Sequence, residues 1–208
     1  MSPRARTGRE RLEAAEARRA RRAEVTDPDV VIEAAAAFLA VRARSVEETR
    51  RRLRHLGYPV ALCDRVVERF VQLGYLDDLG FAQAWVESRD RARPRGAVAL
   101  RRELQLKGVP DDTIAEVLAA RAEEAAESTA DGATGSSHVD VLAARRLIER
   151  RVSTLRREPD PRRRRQKAYA LLARHGFTPD ICHEVASAVV HDADPVPKER
   201  LTLDSPHR

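Results

Sequence analysis

Hydrophobic positions along this chain recur in a frame set by glycine. Leu53 stands four positions before Gly57, and Tyr58 follows it. Leu104, Gly108 and Val109 repeat the pattern, and Leu172, Gly176 and Phe177 repeat it again. Six positions after the glycines come Cys63, Ile114 and Cys182; nine after them come Val66, Val117 and Val185. A glycine in the left-handed conformation closes a helix, and the apolar residue behind it packs on the residue four before the glycine. Pro59, Pro110 and the Thr178-Pro179 pair then open the next helix. The frame predicts three copies of helix, glycine stop, helix.

A fourth stop lies in "GYLDDLGFAQAWVESR", residues 74–89, which holds three of the chain's eight aromatic residues. Phe70 stands four before Gly74 and Tyr75 one after it. Asp77 then reads as an N-cap and Asp78 as a first-turn acid suited to the helix dipole. Leu76 is expected to staple against Phe81, and Phe81 with Trp85 to share the buried face. The two aspartates thus have a capping role that outweighs a paired-carboxylate catalytic one.

With these junctions the chain divides into three-helix units. The first, 28–76, has helices near 29–43, 46–56 and 60–73, the middle one opened by a Ser45/Glu48 capping box. The second, 77–126, has helices near 78–92, 97–107 and 111–126. A Gly/Ser-rich linker, 127–138, leads to the third unit, 139–191, with helices near 139–155, 161–175 and 179–191. Residues 1–27 form an Arg-rich extension, helical or flexible, and 192–208 a loose tail. The fold class is all-α: an elongated tandem array of three-helix repeats, each contacting mainly its neighbours.

Composition narrows the function. Aromatic content is 4% and charged content 35%, which suits helices and not sheets. No apolar run approaches ~18 residues, so no membrane span is expected. The charged N-terminus lacks the apolar core of a signal peptide, and a cytoplasmic protein is expected. Cys63 and Cys182 share the frame position of Ile114, which marks buried structural sites. The histidines have no partners at ligand spacing, and there is no phosphate-binding glycine loop. No cofactor and no enzymatic activity are expected.

The formal net charge is +6, and residues 139–191 alone carry 12 Lys+Arg against 6 Asp+Glu. Localised basic charge is the footprint of nucleic acid or an acidic protein face. The candidate contact residues lie on the middle helices: Arg50, Arg51 and Arg54 before Gly57, and Arg101, Arg102 and Lys107 before Gly108. Arg162, Arg163, Arg164, Arg165 and Lys167 precede Gly176. The expectation is a stripe recurring at equivalent places; the competing expectation is that Glu47, Glu48, Glu103 or Glu158 neutralise some of these charges.

At this level the residues resemble a known family. The junction "G-x-L-D-D-x-x-F-A" (Gly74, Leu76, Asp77, Asp78, Phe81, Ala82) is one element. The run "R-G…E-L…K-G-V" (Arg95, Gly96, Glu103, Leu104, Lys107, Gly108, Val109) is a second. An "A-x-x-x-L-x-x-R-x-R-S" opening from Ala35 (Leu39, Arg42, Arg44, Ser45) is a third. Together they resemble the RecX family of regulatory proteins, closely over 30–120 and more loosely over 139–190. The Arg-rich N-terminal extension and the Gly/Ser break depart from the compact family pattern.

The resemblance implies a monomeric, non-enzymatic regulator lying in the groove of the RecA–single-stranded DNA filament. Such a protein restrains filament growth and suppresses ATP hydrolysis, strand exchange and co-protease activity in DNA repair and the SOS response. Two other readings are kept: a helical protein that binds single- or double-stranded DNA directly, and a protein–protein adaptor in which the basic face is incidental.

Overall fold

The computed structural model describes residues 8–127 and 136–191. Among these residues all regular structure is helical, with no strand. An opening helix, α1 (Gly8–Ala23), precedes three groups. The first holds α2 (Pro28–Leu39), α3 (Val46–Leu56) and α4 (Val60–Gln72). The second holds α5 (Asp78–Ala92), α6 (Ala97–Lys107) and α7 (Asp111–Glu127). The third holds α8 (Ser136–Glu149), a single-turn α9 (Val152–Leu155), α10 (Pro161–Arg174) and α11 (Pro179–His191).

Each group closes on its own hydrophobic cluster, and the repeat frame supplies the centres. Leu53, Leu104 and Leu172 are fully buried, and so are Cys63, Ile114 and Cys182. Tyr58, Val109 and Phe177 are buried with them, each donating its backbone N–H to the carbonyl of the frame leucine, at 3.4, 3.2 and 3.4 Å. That is the bond that closes a helix after a left-handed residue. Gly57, Gly74, Gly108 and Gly176 all have positive φ, and no other described residue does.

The fourth stop works differently from the other three. Tyr75 donates its N–H to Phe70 O at 2.9 Å, but its side chain is 69% exposed and only touches the Phe70 ring, centroids 5.7 Å apart. Leu76, whose N–H also reaches Phe70 O, enters the first core instead. Leu76 and Phe81 therefore belong to different clusters, and the expected staple between them is replaced by a division of labour across the junction.

Helix limits also depart from the sequence reading. The first helix ends at Leu39, not near 43, because the chain must be extended to present Ser45 as a capping-box residue. The helix expected over 139–155 begins at Ser136 and breaks after Glu149, so residues 136–138 of the expected linker are helical. At the break Arg150 reaches the last carbonyls of α5, Ala92 O at 2.6 Å and Arg91 O at 2.9 Å. Leu155 of α9 then enters the third core. The extension expected to be helical or flexible is α1 from Gly8 onward; residues 1–7, the rest of the linker and the tail lie outside the described residues.

The groups are joined by one device used twice. The first amide of α3, Val46 N–H, donates to Asp78 of the second group at 2.9 Å. The first amide of α6, Ala97 N–H, donates to Asp140 of the third group at 2.8 Å. Beside each carboxylate the C-terminal end of the following group's middle helix arrives. Ser45 Oγ donates to Lys107 O, and Gly96 N–H donates to His175 O at 3.0 Å. Thus α10 meets α6, and α6 meets α3, negative end to positive end. Orphan amides and orphan carbonyls are satisfied together.

The approach leaves no room for side chains. A Cβ on Gly108 would lie 2.4 Å from Glu47 Cβ, and one on Gly96 would lie 2.2 Å from Gly176 O. A buried ion pair holds the second and third groups further. Arg121 of α7 spans Asp90 of α5, at 2.7 and 2.9 Å, and Asp140 of α8, at 2.7 Å. Burial opposes the Arg121 charge, but the hydrogen bonds to both carboxylates prevail and push its pKa up.

Gly108→Val should therefore destabilise doubly, through positive φ and through the clash with Glu47. The expected loss is about 2 kcal/mol or more in urea unfolding; an unchanged midpoint would remove the helix stop and the tight junction together.

Asp78 gives a second expectation. Burial pushes its carboxyl pKa up, against the hydrogen bond from Val46 N–H. The folded protein thus binds this proton more tightly than the unfolded chain. Its contribution falls as pH rises from the unfolded value, about 3.9, through the raised folded one. Asp78→Ala should cost about 1 kcal/mol through the orphaned amide. Asp78→Asn, which keeps an acceptor, should cost less and flatten the acid-range dependence of thermal stability.

Candidate partner-binding surface

The middle helices sort their basic residues into two kinds. On α3 Arg50 pairs with Glu47 at 2.8 Å and Asp64 at 3.1 Å, and the Glu47 hydrogen bond leads in raising its pKa. Arg54 pairs with Asp64 at 2.8 Å. Arg51 lies 3.6 Å from Glu47 and donates to Leu106 O across the junction at 3.1 Å. Three of the four α3 arginines are thus neutralised within their own group or used at its boundary, and Arg52 is exposed without an ion pair among the described residues.

On α6 the sorting is sharper. Lys107 pairs with Glu48 of the first group at 3.2 Å, and its ammonium sits 4.0 Å from the Trp85 ring centroid. Glu48, whose carboxylate accepts from Arg42 and Lys107, is held below its ordinary pKa although burial works the other way. Glu103 takes the Trp85 indole N–H at 2.9 Å, Arg89 at 2.7 Å and Arg95 at 3.4 Å. Arg101 and Arg102, directly before Glu103, are exposed and make no ion pair among the described residues.

On α10 Asp160 is the N-cap, accepting Arg162 N–H at 2.9 Å. Arg163 lies 3.6 Å from Asp160, Arg164 donates to Glu158 O at 3.1 Å, and Lys167 pairs with Glu158. Arg162 and Arg165 are exposed without an ion pair among the described residues. The expected equivalence of the three clusters fails here. Arg50-Arg51 and Arg101-Arg102 stand seven and six positions before their glycine stops, whereas Arg162 to Arg165 stand 14 to 11 before theirs, at the start of the longer α10.

Cys63 and Cys182 are free and buried, their thiols directed at Tyr58 O and Phe177 O at 3.7 and 3.6 Å. Burial raises both thiol pKa values. Among the described residues no cluster of His, Cys, Asp and Glu could hold a metal ion, and no helix is long and apolar enough to cross a membrane. His175 Nδ1 donates to Leu171 O, 2.8 Å away, and burial lowers its pKa. Sequence reasoning missed the Arg121–Asp90–Asp140 network and the exposure of Tyr75. The first joins residues far apart in the chain and carries no local pattern; the second departs from the frame that predicted it.

The fold and surface define a class: a tandem three-helix array joined head to tail, with unpaired arginines on its middle helices. Models of the first, second and third three-helix domains of RecX match residues 32–70, 77–118 and 140–185. The chain belongs to the RecX family. It is 34% identical over 155 residues to a regulatory protein RecX of Mycobacterium avium, spanning 73% of this chain and 79% of that one. A second, of Prosthecochloris aestuarii, is 39% identical over 93 residues, or 45% of this chain and 62% of the relative. The crystal structure of RecX from Lactobacillus salivarius aligns with a TM-score of 0.62 at 17% identity, over 78% of this chain and 96% of that one. The relatives are regulatory proteins, and the array is their fold.

The buried thiols give an expectation of their own. Ellman's reagent should modify neither Cys63 nor Cys182 in the folded protein and both in urea, since burial removes access and disfavours the thiolate. Rapid reaction of one thiol without denaturant would place it in a reactive site.

Proposed function

We propose that this chain regulates the RecA recombinase by binding the RecA–single-stranded DNA filament, mainly to inhibit its recombinase, ATPase and co-protease activities. Family membership supports the partner, and the tandem array supports a long contact. The observation that carries the contact surface is the lack of ion pairs at Arg101, Arg102, Arg162 and Arg165, where most neighbouring cations are paired. Stability does not account for them. Arginines in the first turn of α10 lie at the positive end of its dipole, where cations are unfavourable. Arg50, Arg51, Arg54, Arg163, Arg164, Lys107 and Lys167 serve as the flanks of this surface and as its internal supports. The protein acts as a cytoplasmic monomer without catalysis of its own.

Double replacement Arg101→Glu with Arg102→Glu, and separately Arg162→Glu with Arg165→Glu, should weaken inhibition of RecA ATPase on single-stranded DNA. Where the lost contact is a phosphate, the log–log salt slope should shrink by about 0.7 per contact. If both variants stay folded and inhibit like the parent at every salt concentration, the surface lies elsewhere.

A further inference from the structure

One charged feature is used by neither the cores nor the proposed contact surface. The opening helix α1 buries none of its residues. It is held by the stem of Arg19, whose Cγ lies 2.5 Å from where a Cβ on Gly57 would stand. It is also held by Arg22, which donates to Leu56 O at 3.4 Å and lies 5.6 Å from the Tyr58 ring centroid. A helix that adds so little to a core is not explained by stability.

Its seating opens a cleft of 440 Å³ between α1 and α3. Arg18, Arg19, Arg22, Arg52 and His55 line it, and Glu16 is its one carboxylate. None of the four arginines forms an ion pair among the described residues, although Arg50, Arg51 and Arg54 on the same α3 all do. Arg52 only borders the Phe38 ring, 5.7 Å from its centroid. Four guanidinium groups gathered around a single carboxylate repel one another, and a bridging anion reverses the sign of that energy.

The shape of the cleft selects the anion. Guanidinium forks match phosphate oxygens. The volume exceeds what a lone inorganic ion fills, and no Phe, Tyr or Trp lines the cleft as a platform for a base. Contacts of this kind position a sugar-phosphate chain without reading its sequence.

We propose that the cleft between α1 and α3 is a binding site for the phosphodiester backbone of nucleic acid, held by Arg18, Arg19, Arg22 and Arg52. The site is separate from Arg101, Arg102, Arg162 and Arg165 and does not depend on RecA. The whole chain, with no other protein present, is titrated by fluorescence anisotropy into a labelled thymidine oligonucleotide and into a duplex of equal length. Whichever form binds, Arg18→Glu with Arg52→Glu should weaken it about tenfold at low salt. The log–log salt slope should fall by about 1.4 for the single strand, two contacts at about 0.7 each. Arg65→Glu with Arg69→Glu, an equal charge change on exposed positions of α4, should bind close to the parent.

Because α1 buries nothing, the cleft variant should melt with the parent; Arg18→Glu alone repeats the test if it does not. The proposal falls if the parent binds neither form, if the cleft variant binds like the parent, or if the α4 variant loses as much. It also falls if the cleft variant loses RecA inhibition while binding both oligonucleotides normally, since the occupant would then be an acidic protein face. Intact inhibition with lost oligonucleotide binding supports the cleft and leaves the filament contact to the middle helices.

Discussion

The array depends on how the first amides of its middle helices are satisfied. An α-helix begins with amides that have no partner within it and ends with carbonyls in the same condition. In α3 and α6 a carboxylate from the next group supplies one acceptor, and the end of the next middle helix arrives alongside. A group lacking its neighbour would carry a bare helix start at Val46 or Ala97. The polar ends, and not the hydrophobic clusters, are what make the three groups one molecule. Each cluster is complete in itself.

This dependence sets which residues are free to vary. Ser45 is fully buried and has both hydrogen-bonding roles filled, accepting from Glu48 N–H and donating to Lys107 O. Gly96 and Gly108 are bound by close approach. Cations at the boundary, Arg51, Lys107 and Arg121, are committed to it as well. Arg101 and Arg102 lie on the same helix as Lys107 but are exposed and form no ion pair among the described residues. A surface charge left over after the fold has used its share is a better guide to a partner than a total of charges.

The core of this architecture was legible because it is local. A glycine stop, the leucine four before it and the apolar residue after it form one turn of chain, so Gly57, Gly108 and Gly176 announce themselves. The partner-facing charge was legible only in part. Glu47 and Glu48 were foreseeable partners for α3 and α6, being near in sequence or junction. Asp64, which takes Arg50 and Arg54, comes from the following helix and depends on the angle at which α4 returns. The placement of Arg162 to Arg165 was misread because the repeat frame is anchored at the glycine stop, and α10 begins 15 residues before its glycine where α6 begins 11 before its own.

The opening helix extends the same logic past the last group. At the C-terminal end of α3 the carbonyl of Leu56 meets α1 and not the start of another middle helix. Arg22 of α1 takes Leu56 O and Arg19 covers Gly57, as Ser45 takes Lys107 O and Glu47 covers Gly108 in the next junction. A single helix is enough to cap this junction, and of its acids only Glu16 lines the cleft with Arg18, Arg19 and Arg22. These three arginines form no ion pair among the described residues, because the junction needs only their stems and one guanidinium. The unspent charge is then free to gather at the open end of the array, where a polyanion can reach it without displacing any contact that holds the groups together.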